Sequence, residues 1–124
     1  MRVLFLAGLL ALVCFDTAGQ LGFKFMAEAA GPAAANATWV HTVVTSPAFV
    51  VTVAAYIGAF FVYMLLVRRV AIGPLFAASH LELVTITAIS MVYFDERFSL
   101  VQALGCAVIL AGIVVLGFTE STDA

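Results

Sequence analysis

A chain of 124 residues with a net charge of −2, 65% hydrophobic and only 10% charged residues is far from the roughly 25% charged composition of a soluble domain. Its mean hydropathy of +1.22 leaves no stretch from which a separate soluble domain can be built, and the sparse charge excludes a nucleic-acid partner. Backbone groups in hydrocarbon must pair within their own segment, so long apolar runs are helices. The fold class expected is all-α: a polytopic membrane protein of four transmembrane helices, residues 3–26, 47–67, 70–94 and 98–118, forming one domain over 1–124. Each run reaches the roughly 20 residues that a spanning helix needs.

The first run opens as Met1-Arg2 followed by VLFLAGLLALVCF, which is similar to a signal peptide, with Thr17-Ala18-Gly19 as a cleavage point. Its apolar pattern continues through Leu21-Gly22-Phe23, however, and its polar residues keep helical register, so an uncleaved first helix is expected. Asp16, Gln20 and Lys24 recur every four residues. They therefore form one stripe within about 80° of arc. Gln20 can hydrogen-bond the Asp16 carboxyl, and Lys24 can snorkel to the interface. Cys14 and Cys106, both in apolar runs, read as buried packing thiols with no metal role.

The connection 27–46 holds the Gly31-Pro32 break and a short interfacial segment with Trp39 and His41; Ser46-Pro47 opens the second helix. Arg68-Arg69 alone separates helices 2 and 3, and Asp95-Glu96-Arg97 separates helices 3 and 4, a compact bundle. Four spans put both termini on one side with Arg68 and Arg69. Arg2, Arg68 and Arg69 then face Lys24 and Arg97, a bias towards cytoplasmic termini in a multi-pass membrane protein.

Helix 3 carries Ser79, Glu82 and Thr85 on one face, while His80 and Thr87 fall on roughly the opposite face. Gly73-Pro74 bends or caps its start. Acids at bilayer depth are costly and mark function, and carboxyls withdrawn from water can exchange protons near neutral pH. Asp16 and Glu82 together make a site that takes a cationic group or protons, not both, which is the simplest basis for coupled exchange. The bland alternative leaves both acids neutral and bonded to Gln20, Ser79 or Thr85 as interhelical ties. Helix 4 supplies Gly105, Ala107, Ala111, Gly112 and Gly117, small residues that suit a subunit interface. No nucleophile set, nucleotide loop or paired-cysteine site supports an enzyme or a cofactor.

These residues resemble a family. The four spans and Asp16-x₇-Lys24 are similar to the small multidrug resistance transporters, with Asp16 in place of the family's glutamate. AGQLGFK over Ala18–Lys24 resembles more closely the half-size members of the drug/metabolite transporter superfamily, including aminoarabinose-lipid flippase subunits. The likeness runs on from Ile72 to Gly117, with Gly73, Glu96 and the glycine-rich helix 4. Glu82 and His80 lie outside the family pattern. The resemblance implies a homodimer, or a heterodimer with a related small subunit, surrounded by membrane lipid. Two functions follow from it: proton-coupled export of a small cationic or amphipathic compound, or flipping of a lipid-linked substrate. A non-transporting assembly subunit is the remaining alternative.

Overall fold

The computed structural model describes residues 2–123, without the side chains at 2, 117 and 120–123; Met1, Ala124 and the readings that rest on the Arg2 side chain or on Gly117 lie outside the described residues. The described chain is helical with no strand. Six helices follow in order: α1 Arg2–Ala30, α2 Ala37–Thr45, α3 Pro47–Val67, α4 Ile72–Ser79, α5 Glu82–Tyr93 and α6 Leu100–Asp123. Three stretches are long and apolar enough to cross a membrane: Val3–Ala30, Pro47–Val67 and Ile72–Tyr93, the last formed by α4 and α5 together. The apolar part of α6, Leu100–Leu116, is shorter.

Each helix end has a local cause. α1 runs four residues beyond the expected end because AEAA after Met26 favours helix although it is not apolar. Gly31 then stops it, at φ 67 with its amide on the Ala27 carbonyl, the usual left-handed terminator. Asn36 caps α2 through Oδ1, which accepts from the Trp39 amide at 2.8 Å. The connection 27–46 thus contains a helix around Trp39 and His41. Ser46 ends α2 and caps α3, accepting from the Phe49 amide at 3.2 Å with Pro47 behind it. At α6, Ser99 and Gln102 exchange side-chain and backbone bonds of 2.8 and 3.2 Å, a capping box.

The principal packing is antiparallel, α1 against α3. Gly8 lies against Leu66, Gly58 against Phe15, Gly19 against Tyr56, and Gly22 against Thr52. An added Cβ at Gly8, Gly19 or Gly58 would stand 2.8 Å from the facing side chain, so glycine sets the close approach of the two backbones. Leu12, Ala59, Leu66 and Leu75 form the buried core, with Phe5, Val62, Tyr63, Val67 and Val70 against it. Leu75 brings α4 into this core, and α5 lies against α1. α6 touches α4 and leaves Val101, Leu104, Val108 and Val115 exposed.

Some expectations change. Residues 70–94 do not form one continuous helix but two, interrupted between Ser79 and Glu82. Cys14 is exposed and Cys106 half-buried, both free thiols, so Cys14 is not a packing residue: position 14 faces away from the α1–α3 seam set by Gly8, Gly19 and Gly22.

The seam gives a direct test. Gly19→Leu must overpack Tyr56, and a loss of about 1–3 kcal/mol is expected, read as a lowered unfolding midpoint in detergent. Gly73→Ala, where a Cβ meets nothing within 4 Å, should not lower the midpoint, since alanine is the better helix former.

Candidate functional site

The interruption between α4 and α5 organises the polar residues. No proline or glycine lies at the break. Instead the Ser79 hydroxyl donates to the Phe76 carbonyl at 2.7 Å, the acceptor that the His80 amide would use in an unbroken α-helix. The His80 amide turns to Ala77 at 3.2 Å, Leu81 to Ala78 at 3.2 Å, Leu83 to His80 at 3.1 Å and Val84 to Leu81 at 3.1 Å. All four are i→i−3 bonds, the tighter winding of a 3₁₀ turn, which inside a longer helix is associated with hinges and functional sites. A side chain that captures a backbone acceptor is a recognised cause of such a break.

The break keeps Ser79 in the cleft wall shared with Asp16; His80 follows at the break and Glu82 opens α5, so the three ionisable groups lie within electrostatic range of one another. The two carboxyls also interact with each other, and the Tyr56 hydroxyl lies in the field of both. Asp16 comes from α1, Tyr56 from α3, His80 from the break and Glu82 from the first turn of α5. Glu82 therefore sits where the start of α5 presents its partial positive charge. The His80 ring is held edge-on against Phe76, with centroids 4.6 Å apart.

Beside these groups is an open cleft of about 350 Å³ lined by Asp16, Tyr56, Tyr63, Phe76 and Ser79 over the core residue Leu12. Asp16 is half-buried and Ser79 buried. Thr17, next to Asp16, and Thr85, one turn after Glu82, bring their hydroxyls to 3.2 Å and tie α5 to α1. Thr85 Oγ1 also donates to the Glu82 carbonyl at 2.9 Å.

Asp16, Ser79, His80 and Glu82 are thus together, with Thr85 adjacent. Gln20 is exposed and makes no hydrogen bond to Asp16 among the described residues. Lys24 lies about 12 Å further along α1 by helical rise and joins a different group. It donates to Glu96 in the α5–α6 connection, lies 3.9 Å from Glu28, and stands 5.0 Å above the Phe94 ring. Tyr56, Tyr63 and Thr17 belong to the neighbourhood although nothing in their local sequence marks them for a site. Gly19 is the one available signal for Tyr56, since a glycine on α1 leaves room for a large side chain opposite. No group of three metal-ligating side chains occurs among the described residues.

No family model, curated protein or solved structure matches this chain.

The Thr17–Thr85 pair can be tested by a double-mutant cycle with Thr17→Val and Thr85→Val. Interhelical bonds of this kind are worth about 0.6 kcal/mol, up to about 1.7. A coupling in that range is expected from unfolding in mixed micelles, and additive losses would mean that the two hydroxyls do not interact.

Proposed function

We propose that the chain is a subunit of a proton-coupled membrane transporter of the drug/metabolite transporter kind, exporting a small cationic or amphipathic compound. The observation that carries this reading is the convergence of Asp16, Glu82, His80 and Tyr56, from α1, α3 and an interrupted span, beside an open cleft. Two acids at bilayer depth are costly unless used. Interrupted helices with polar groups at the break are the usual construction of transporter binding sites.

The mechanism follows from charge balance. Asp16 and Glu82 share one electrostatic neighbourhood, so neutralisation by a cation at one raises the cost of adding a second positive charge. Protons and a cationic substrate then compete for the same two carboxyls. Tyr56 and Tyr63 supply aromatic faces for the apolar or cationic part of the substrate. Ser79 offers a polar contact at the wall. Alternation between the two faces of the membrane makes that competition an exchange.

The wider reading has α6 as the fourth span, both termini in the cytoplasm, and the cell inner membrane as the location. The apolar part of α6 extends about 26 Å by helical rise, near the roughly 30 Å of hydrocarbon. Assembly as a dimer is supported by α6 itself. Gly105, Ala107, Ala111 and Gly112 are exposed, the two glycines on one face and the two alanines on the other, and a Cβ at Gly105 or Gly112 meets nothing within 4 Å. A second copy, or a related small subunit, is the occupant the glycine face suits.

Transport in proteoliposomes under an imposed pH gradient, screened with organic cations, tests the proposal. Asp16→Asn should reduce coupled transport to the rate of empty liposomes while helicity is retained, because asparagine keeps size and hydrogen bonding but cannot ionise. Glu82→Gln should flatten the pH dependence of transport. Full pH-coupled activity in both variants would remove the acids from the mechanism.

Dimerisation is tested separately. Gly112→Leu should weaken subunit crosslinking at constant protein-to-detergent ratio, and unchanged crosslinking would exclude this face of α6.

A further inference from the structure

At the opposite end of α1 from Lys24, a second cleft lies between the start of α1 and the end of α3. Its volume is about 450 Å³, and Leu4, Phe5, Gly8, Val62 and Leu66 line its apolar walls. The volume is within the roughly 300–1,000 Å³ typical of clefts that hold small ligands. Gly8 lets α1 and α3 close beneath the cleft, since Leu66 packs directly on it.

One lining residue is unlike the rest. Arg69, from the α3–α4 connection, stands at the edge of this apolar cleft. Neither Arg69 nor its neighbour Arg68 pairs with a carboxylate among the described residues; the ion pairs there are those of Lys24 with Glu28 and Glu96. Both arginines are exposed, directly after a helix of spanning length, and so stand at headgroup level. The start of α1 lies at the same end, because α1 and α3 are antiparallel, and its partial positive charge adds to theirs.

We infer that this cleft is a resident site for one anionic phospholipid, with an acyl chain between α1 and α3 and the phosphate on Arg69. The chemistry is complementary at both ends. Apolar walls match a hydrocarbon chain, and a guanidinium fork matches phosphate oxygens through paired N–H donors. Arginines immediately beyond a spanning helix are the groups that recognise anionic headgroups. The site is separate from the acid cleft, where negative charge would repel the same headgroup. It does not depend on what the protein transports.

The test uses the full chain, purified in neutral detergent and titrated with dioleoyl-phosphatidylglycerol or dioleoyl-phosphatidylcholine. Retained lipid is counted by native mass spectrometry, and the melting temperature is followed in parallel. The anionic lipid should bind about fivefold more tightly than the zwitterionic one, the discrimination that one headgroup-level arginine supplies. Arg69→Gln should abolish that preference while far-ultraviolet circular dichroism is unchanged, and Arg69→Lys should restore part of it. Ala7→Phe, which adds a ring at an exposed position on the cleft wall, should weaken retention of both lipids, and it decides the matter if Arg69→Gln does not fold. Glycerophosphoglycerol, the headgroup without chains, should not bind at the same concentration. Equal retention of the two lipids, or a preference that survives Arg69→Gln, overturns the inference. So does binding of the headgroup alone. Intermolecular crosslinking of cysteines at Leu4 and Leu65 that lipid does not reduce also overturns it, because a second copy then fills the cleft.

Discussion

Backbone amides and carbonyls inside hydrocarbon have no water to bond, so every interruption of a spanning helix needs a substitute partner close by. At Ser79 the substitute is the residue's own hydroxyl, which takes the Phe76 carbonyl and lets the chain tighten into a 3₁₀ turn. The arrangement of the polar groups depends on this bond. It starts a new helix at Glu82, where the local dipole favours negative charge, within electrostatic range of Asp16. Proline or glycine would also break the helix, but without a side chain that supplies the missing donor.

Much of the fold was legible in the sequence because the bilayer enforces it. Apolar length identified the long helices, and Pro47, Gly31 and the short connections located their ends to within a few residues. Hydropathy reports solvent rather than winding, which is why α1 continues through Glu28 to Ala30 and α6 through Thr119 to Asp123. The helix over 37–45 has too few apolar residues to register as a span, though Asn36 before it is a capping signal. The break at residues 79–82 escaped a periodicity argument because serine is tolerated within helices. Only the choice of its hydroxyl partner reveals the turn.

The site was legible in part. Asp16 and Glu82 stand out because charge in an apolar run is conspicuous, and Ser79 and Thr85 follow by spacing. Tyr56 does not, since a tyrosine in PAFVVTVAAYIGAFF reads as one more packing aromatic. Its place opposite Gly19 depends on the register of α1 against α3, which is information from a different part of the chain. Lys24 shows the reverse limit. Its spacing from Asp16 and Gln20 is regular, yet its partner Glu96 lies 72 residues away, and the pair is half-exposed. Such a pair adds little stability by itself. The Phe94 ring beneath the ammonium adds an attraction that survives partial hydration, so the three groups hold the α5–α6 connection to the end of α1.

The glycine seam has a mechanical consequence. Two backbones held this close have little freedom to slide or rotate against each other, so α1 and α3 behave as a single stiff pillar carrying Asp16 and Tyr56. His80 and Glu82 are carried by the other side of the molecule, attached through one hydroxyl pair and the packing of Leu75. On the proposed transport reading, the first part would be the stator and the second the lever. Coulomb interaction weakens with separation and with entering water, so an outward swing of that lever would uncouple the acids and a closing one would couple them. The strength of their mutual repulsion would then be a gauge of its position.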